Sequence, residues 1–351
     1  MQRTVCLVHY SSSPGGIEVL MPVIIDGLKH YRFKAFIIRP QSENGPNVYK
    51  DYDIEISFGS KITLVALVKF FFFCIRNKNG IIHFFNAGPF FLSTARIAGV
   101  KKIVYSIHGT IYWKTAFQRM SRKLFWRLGT SDKTIFTSNS EYSANVFTDT
   151  VSSKVKPIVL YNPINTDRFN FKDKTSSNEV MKIIYVGRLV DGKNIKGWLD
   201  TAVYLLQRGI KARFELDGRG PKQKELQQYI ASSGFANEII FKGHSEKVEE
   251  VYKNADLLLL LSERESFGNV VVESILCGTP VIAFDIPAML EIFKEYPEFV
   301  IKNDESFKES VYEKVKNINS LKELAQIAAV NFKERFGSKI HMNKLEMIYE
   351  K

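Results

Sequence analysis

The chain has 351 residues, 45% of them hydrophobic and 25% charged, which is too long for one ordinary domain and enough to fill two cores of about 150 to 180 residues each. Its 49 Lys and Arg against 37 Asp and Glu leave +12, a balance that favours an anionic partner: nucleic acid, a membrane surface or phosphorylated small molecules. Cys6, Cys74 and Cys277 are odd in number and far apart in apolar surroundings, which argues against a disulfide framework or a metal site and for a reducing cytosol.

The N-terminus enters a strand-like run, Thr4 to Tyr10, without a charged and apolar leader, so no signal peptide is expected. Further strands are expected at Phe33 to Ile38, Ile81 to Phe85, Ile103 to Ile107, Thr134 to Thr137 and Pro157 to Leu160. Helical patterns separate most of them, at Ile17 to Leu28, Ile62 to Arg76 and Phe90 to Ala98. This alternation predicts a parallel sheet covered on both faces. The apolar stretch Ile62 to Ile75 holds four consecutive phenylalanines but is interrupted by Lys69. As a helix it reaches roughly 21 Å, short of the ~30 Å hydrocarbon core, so it is expected to be buried, with a partly membrane-facing helix as the alternative.

Ligands of open parallel sheets bind beyond the carboxyl ends of the strands. After the first strand, Gly15-Gly16-Ile17-Glu18 allows backbone N–H groups to approach an anion at a helix start, although a plain strand-to-helix turn is the better explanation of these residues alone. His108 with Gly109 closes a strand, a position that suits a structural or a catalytic histidine. From Trp113 to Leu128, helical spacing puts Trp113, Phe117, Met120, Leu124 and Leu128 on one stripe. Trp126 falls about 220° from Trp113, between Arg119 and Arg122. An exposed tryptophan among arginines suits a membrane headgroup region or a phosphorylated acceptor, whereas a sheet-covering helix would pack Trp126 on a neighbour.

Periodicity lapses from Asn162 to Val180, and Lys172 to Asn178 reads as a linker. Strands resume at Lys182 to Val186, Arg213 to Leu216, Glu238 to Phe241, Leu257 to Leu261 and Val281 to Phe284, and the chain closes with a helix over Ser338 to Tyr349. Gly187-Arg188-Leu189 and Lys193 follow the first of these strands, where the two cations could clamp a diphosphate or lie solvated on the surface. Gly218-Arg219-Gly220-Pro221 is a strand-end turn with no assigned chemistry. After Leu261 come Glu265 and Glu273, with Gly268 at the expected helix start. If the interval is mostly helical the carboxylates are on the order of 12 Å apart, too far to work on one bond as a glycosidase pair does at roughly 5 to 10 Å. Two grips on a long ligand such as a nucleotide sugar, with its diphosphate on the helix N-terminus, fit that spacing; so do two solvated glutamates.

In order, Gly15-Gly16-Ile17-Glu18, His108, Tyr161-Asn162-Pro163-Ile164-Asn165 with Arg168-Phe169, Gly187-Arg188-Leu189 with Lys193, and Glu265 with Glu273 resemble the motifs of family-four retaining glycosyltransferases. Ala255-Asp256, Gly278 to Ala283 and the closing aromatic-rich helix extend the resemblance over almost the whole chain. It implies an α/β fold of the GT-B type, two doubly wound Rossmann-like domains facing across a cleft. Residues 1–165, joined by 338–351, would bind the acceptor and 178–337 the donor. Glu273 would hold the ribose and Glu265 would face the transferred sugar. Phe267, Gly268 and Asn269 would offer backbone contacts, and Arg188 and Lys193 would hold the diphosphate. Gly15 and Gly16 would close on the diphosphate, and His108 would lie near the sugar. One departure is Asp285 to Glu291, where many members carry a glycine pair and a glutamate, so donor contacts from that loop are not carried over.

The implied activity is retaining, metal-independent transfer of a hexose or N-acetylhexosamine to a lipid-linked glycan of a bacterial surface polysaccharide, such as lipopolysaccharide, O-antigen or capsule. No cofactor is implied beyond the nucleotide sugar, a UDP-sugar ahead of a GDP-sugar. The expected location is cytoplasmic, with Arg119, Arg122, Lys123 and Trp126, helped by Lys101 and Lys102, holding the enzyme peripherally to the inner leaflet. A nucleotide-sugar epimerase on the same fold is one alternative. A nucleic-acid-binding protein is another, disfavoured because the positive charge looks dispersed and no nucleic-acid module appears.

Overall fold

The computed structural model describes residues 2–11, 15–39, 48–110, 115–131, 133–171 and 180–351. The chain divides into two compact units, unit 1 being Met1–Pro163 with Ser338–Lys351 and unit 2 being Ile164–Gly337. The linker expected at 172–178 lies outside the described residues.

Among the described residues of unit 1, the strands are β1 (Thr4–His9), β2 (Arg32–Ile37), β3 (Glu55–Phe58), β4 (Ile81–Phe85), β5 (Lys102–Ile107), β6 (Thr134–Ser138) and β7 (Ile158–Val159). They form one parallel sheet in the order β3-β2-β1-β4-β5-β6-β7. The helices are α1 (Leu20–Gly27), α2 (Thr63–Arg76), α3 (Pro89–Ile97), α4 (Ala116–Gly129) and α5 (Glu141–Thr150). A parallel strand buried on both faces has no polar side to show, which is why β4 and β5 read as nearly unbroken apolar runs. Successive side chains enter opposite cores. Cys6 and Val8 join α2, α3 and Trp126 of α4 on one face, while Val5 and Leu7 join α1 and the closing helix on the other.

Unit 2 has β8 (Met181–Val186), β9 (Ala212–Asp217), β10 (Ile239–Gly243), β11 (Leu257–Leu260), β12 (Val281–Phe284) and β13 (Val300–Ile301), a parallel sheet in the order β10-β9-β8-β11-β12-β13. Its helices are α6 (Ile195–Gln207), α7 (Gln223–Ala231), α8 (Val248–Lys253), α9 (Asn269–Leu276), α10 (Pro287–Ile292), α11 (Phe307–Lys316) and α12 (Ile318–Phe336). The segment that departs from the family pattern, Asp285 to Glu291, supplies most of α10, opened by Pro287 in its first turn.

The closing helix α13 (Ser338–Glu350) belongs to unit 1 and is fastened there by polar contacts as well as packing. The buried Tyr349 hydroxyl meets His83 Nδ1 at 2.6 Å, His83 Nε2 meets Ser106 Oγ at 2.7 Å, and Ser106 meets Thr137 at 2.7 Å. Arg3 and Lys102 both donate to the Tyr349 carbonyl, at 2.7 and 2.6 Å, where the negative end of the helix dipole attracts cations. Tyr349→Phe leaves His83 Nδ1 buried without its partner. It should cost about 1–3 kcal/mol, read as an earlier urea midpoint with an unchanged slope.

The helix α4 corrects one expectation. Trp126 is buried, edge-on to Tyr105 at 5.2 Å and to Phe147 at 5.0 Å, while Met120, Leu124 and Leu128 of the apolar stripe are exposed. One large aromatic and a close approach outweigh three aliphatic side chains. Gly129 shares the inner face, where a Cβ would fall 2.6 Å from Leu92 Cγ of α3. Trp126 is therefore not part of a membrane-facing surface. Trp113 and the side chains of Phe117 and Arg119 lie outside the described residues.

Candidate functional site

In unit 2 the strand order reverses between β8 and β11, since β9 and β10 extend the sheet one way and β11 to β13 the other. That switch point opens a crevice at the strands' carboxyl ends. The loop after β8 carries Arg188 and Lys193 and the loop after β11 carries Glu265. The two loops meet there: Glu263 N donates to Gly192 O at 3.1 Å, and Lys193 Nζ lies 2.5 Å from Glu265 Oε1. Both side chains are largely but not wholly covered, at 25% and 11% exposure, so the pair remains reachable by a ligand. Tyr185 completes this corner. Its hydroxyl donates to Arg188 O at 3.0 Å, and burial, with the nearby Glu265 charge second, pushes its pKa up. The Arg188 residue itself is exposed.

The helix α9 begins at Asn269, so only the second half of the interval from Glu265 to Glu273 is helical and the separation expected from helical rise does not apply. The N-cap is Gly268 at φ 112°, where a Cβ would come 2.7 Å from Met289 Cε, which explains glycine at this turn. Phe267 is buried against Phe336, 5.6 Å away edge-on, and anchors the turn, leaving Gly268 and Asn269 half-buried. The first N–H groups of any helix lack intrahelical acceptors and carry the positive end of its dipole.

Glu273 engages a different set of groups from Glu265. The buried Tyr252 hydroxyl donates to Glu273 Oε2 at 2.8 Å. Burial raises the Glu273 pKa to about 7, while the Tyr252 hydrogen bond and the Arg168 charge oppose the rise. Arg168 is held by Glu249 at 2.7 Å and by the Glu246 carbonyl at 2.9 Å. Tyr252 and Arg168 went unassigned in the sequence because their roles depend on contacts 21 and 81 residues away. The Arg168-Phe169 motif was the only hint.

Unit 1 has its own switch point, between β1 and β4. Gly15 and Gly16 follow β1, and a Cβ at Gly16 would meet nothing within 4 Å. Regular helix begins only at Leu20. Beside this end of the sheet lies a cavity of ≈ 160 Å³ whose lining includes Tyr10, Arg39, Asn86, Gly88, Tyr105 and Arg122. Asn86 adopts φ 55°, and its Oδ1 accepts from the His108 backbone N–H at 3.2 Å. A non-glycine residue in the left-handed region is a cost that often marks a functional turn. The Asn86 to Pro89 turn could have been picked from its Asn, Gly and Pro punctuation.

His108 is placed differently from a strand-end group open to a ligand. Both its ring nitrogens are buried without a hydrogen-bond partner, beside a cavity of ≈ 10 Å³ shared with His83, Asn139 and His341. Burial and the neighbouring His341 lower its pKa to about 3, against a small opposing effect of Asn162. The ring is neutral across the physiological range and does not act as a cation.

Two doubly wound parallel units in tandem are the architecture of GT-B glycosyltransferases. The fold matches that of Anabaena HepE, crystallised in complex with UDP and glucose, with a TM-score of 0.83 over 99% of each chain at 17% identity. Residues 167–331, which lie within unit 2, match the model of the glycosyl transferases group 1 family. The chain is 25% identical over 257 residues to the N-acetyl-alpha-D-glucosaminyl L-malate synthase of Bacillus anthracis, covering 70% of this chain and 64% of that one. It is 28% identical over 216 residues to the Vi polysaccharide biosynthesis protein VipC/TviE of Salmonella typhi, covering 57% and 37%. The chain thus spans less than two thirds of the length of these curated relatives. Among the described residues, no helix is long and apolar enough to cross a membrane.

Proposed function

We propose that the protein is a retaining glycosyltransferase that moves a hexose or N-acetylhexosamine from a nucleotide sugar, a UDP-sugar first, to a lipid-linked cell-surface glycan. The observation that carries the reading is the Lys193–Glu265 pair at the switch point of unit 2, four residues before the N-terminus of α9. The UDP and glucose bound by HepE and the polysaccharide biosynthesis named for VipC/TviE support donor and pathway class. The acceptor is assigned to the unit 1 cavity, where Arg39 and Arg122 favour an anionic group and the exposed Tyr10 offers a ring face to a sugar.

In this scheme an acceptor hydroxyl attacks the anomeric carbon on the face from which the diphosphate departs. The C–O bond to the diphosphate breaks, that oxygen keeps the electron pair, and it takes the hydroxyl proton. Configuration is retained and no protein nucleophile is required. Arg188, Lys193 and the N–H groups at the start of α9 meet the charge developing on the leaving diphosphate, so no metal enters the scheme. Glu265 orients Lys193 and accepts from the sugar hydroxyls, and Glu273 accepts from the ribose. The test is a screen of UDP-, GDP- and ADP-sugars for hydrolysis and transfer, with the anomer of the product read by NMR. An inverted product, or no turnover of any donor, would refute the reading.

The Glu273 carboxyl supplies a pH signature. Its folded pKa of about 7 lies above the ordinary carboxylate value of 4.5, so its contribution to stability is present below about 4.5 and lost as pH rises through about 7. Ribose hydroxyls donating to the carboxylate favour the ionised form, which works in the opposite sense for the ligand. Affinity for a UDP-sugar, whose diphosphate diester does not titrate here, should rise from pH about 6 to about 8 by several-fold. Calorimetric titration should show that slope flattened in Glu273→Gln.

A further inference from the structure

The surplus positive charge is not dispersed. Between Glu55 and Asp132 there is no acidic residue and there are twelve Lys and Arg, and the rest of the chain balances at 37 of each sign, so this stretch accounts for the whole +12. It is the stretch that forms α2, α3 and α4, which lie side by side over one face of the unit 1 sheet and share a single core.

The outer surface of that layer is apolar. On α2 the buried residues Ala66, Phe70, Phe73 and Cys74 follow helical spacing toward the sheet, and Leu64, Val68 and Phe72 follow it on the opposite side, exposed at 71, 51 and 55%. Met120, Leu124 and Leu128 repeat the pattern on α4, at 69, 57 and 53%. Lys61, Lys69, Arg76, Lys123 and Arg127 stand exposed among these side chains. Helices that are apolar outward, cationic at the margins and free of carboxylates match an anionic bilayer surface, which offers headgroup phosphates to the cations and acyl chains to the apolar residues. A second copy of the same surface would oppose like charge to like charge.

We propose that the outer face of α2 and α4 is a docking surface for an anionic lipid bilayer, entered by Leu64, Val68, Phe72, Met120, Leu124 and Leu128 and held by the surrounding lysines and arginines. Thr63 and Ala66 of α2 and Arg122 and Trp126 of α4 also line the unit 1 cavity, so docking would bring that cavity to the membrane surface. The inference rests on the surface alone and holds whichever sugar the enzyme moves.

The test is co-sedimentation of the full chain with vesicles of phosphatidylcholine alone, or with roughly one third phosphatidylglycerol, at low and high salt. Wild type should sediment with the anionic vesicles and be released in part by salt. Lys123→Glu with Arg127→Glu should weaken that binding by at least about tenfold, and Val68→Glu with Phe72→Glu should weaken it at either salt concentration. Both pairs are surface changes, and unaltered circular dichroism and UDP thermal shift would show the fold intact. Indifference of the wild type to phosphatidylglycerol would overturn the proposal. So would equal binding by both variants, or a wild-type dimer that Val68→Glu with Phe72→Glu splits while vesicle binding stays absent. A chain that binds vesicles but turns over none of the nucleotide sugars would keep this inference and sink the transferase reading.

Discussion

Lys193→Ala should lower kcat by about 10²- to 10³-fold, the loss of roughly 2.7–4 kcal/mol of transition-state stabilisation typical of one preorganised charge donor. Two effects combine. The ammonium that meets the departing diphosphate is gone, and Glu265, whose Oε1 lay 2.5 Å from it, is left as an uncompensated carboxylate in a largely covered site. The second effect reaches the ground state, because an unpaired carboxylate repels the diphosphate before any bond breaks. Nucleotide affinity should therefore fall in Lys193→Ala and recover in part in Lys193→Ala with Glu265→Gln, while kcat does not recover. Glu265→Gln alone keeps the cation and frees it from its partner. Its UDP affinity should hold or improve while turnover falls. Calorimetric UDP titration and single-turnover transfer separate the two quantities. Full activity in Lys193→Ala would remove the pair from the mechanism.

Sequence periodicity located β1, β4, β5 and β12 to within a residue because each is a compact apolar run with a strand on both sides. It missed β3 and β13 for the opposite reason. β3 is a sheet-edge strand of four residues in which none is fully buried, and β13 has two residues. The same limit left α4 open between an exposed and a packed Trp126. A helical wheel ranks faces by how many apolar residues they carry, whereas the structure chose the face whose single tryptophan and glycine fit between α3, Tyr105 and Phe147. The site was legible where chemistry coincided with strand ends, as with Lys193 and Glu265. It was illegible where a role is made by a distant partner, as with Tyr252 on Glu273, or by burial, as with the ring of His108.

Gly218-Arg219-Gly220 shows what motif reading leaves unassigned and what steric accounting recovers. A Cβ at Gly218 would lie 1.8 Å from the Gly187 carbonyl oxygen, and one at Gly220 would lie 2.1 Å from the Leu189 carbonyl oxygen. Both clashes are with backbone, which cannot swing aside as a side chain would. The loops after β8 and β9 are pressed together along this line and stitched by Gly187 N to Asp217 O and Leu189 N to Arg219 O, each at 3.0 Å. Gly218→Ala should therefore cost roughly 3 kcal/mol, the upper end of overpacking penalties. For a unit of this size that lowers its melting temperature by about 6 to 12 °C. The affected transition can be recognised in a calorimetric scan as the one that UDP raises. Gly16→Ala, with nothing within 4 Å of the added methyl, should leave melting unchanged and serves as the contrast. Because the displaced loop is the one that carries Arg188 and Lys193, Gly218→Ala should also depress kcat at temperatures where unit 2 remains folded. A variant that melts early but turns over normally would show that the glycine seam serves stability alone.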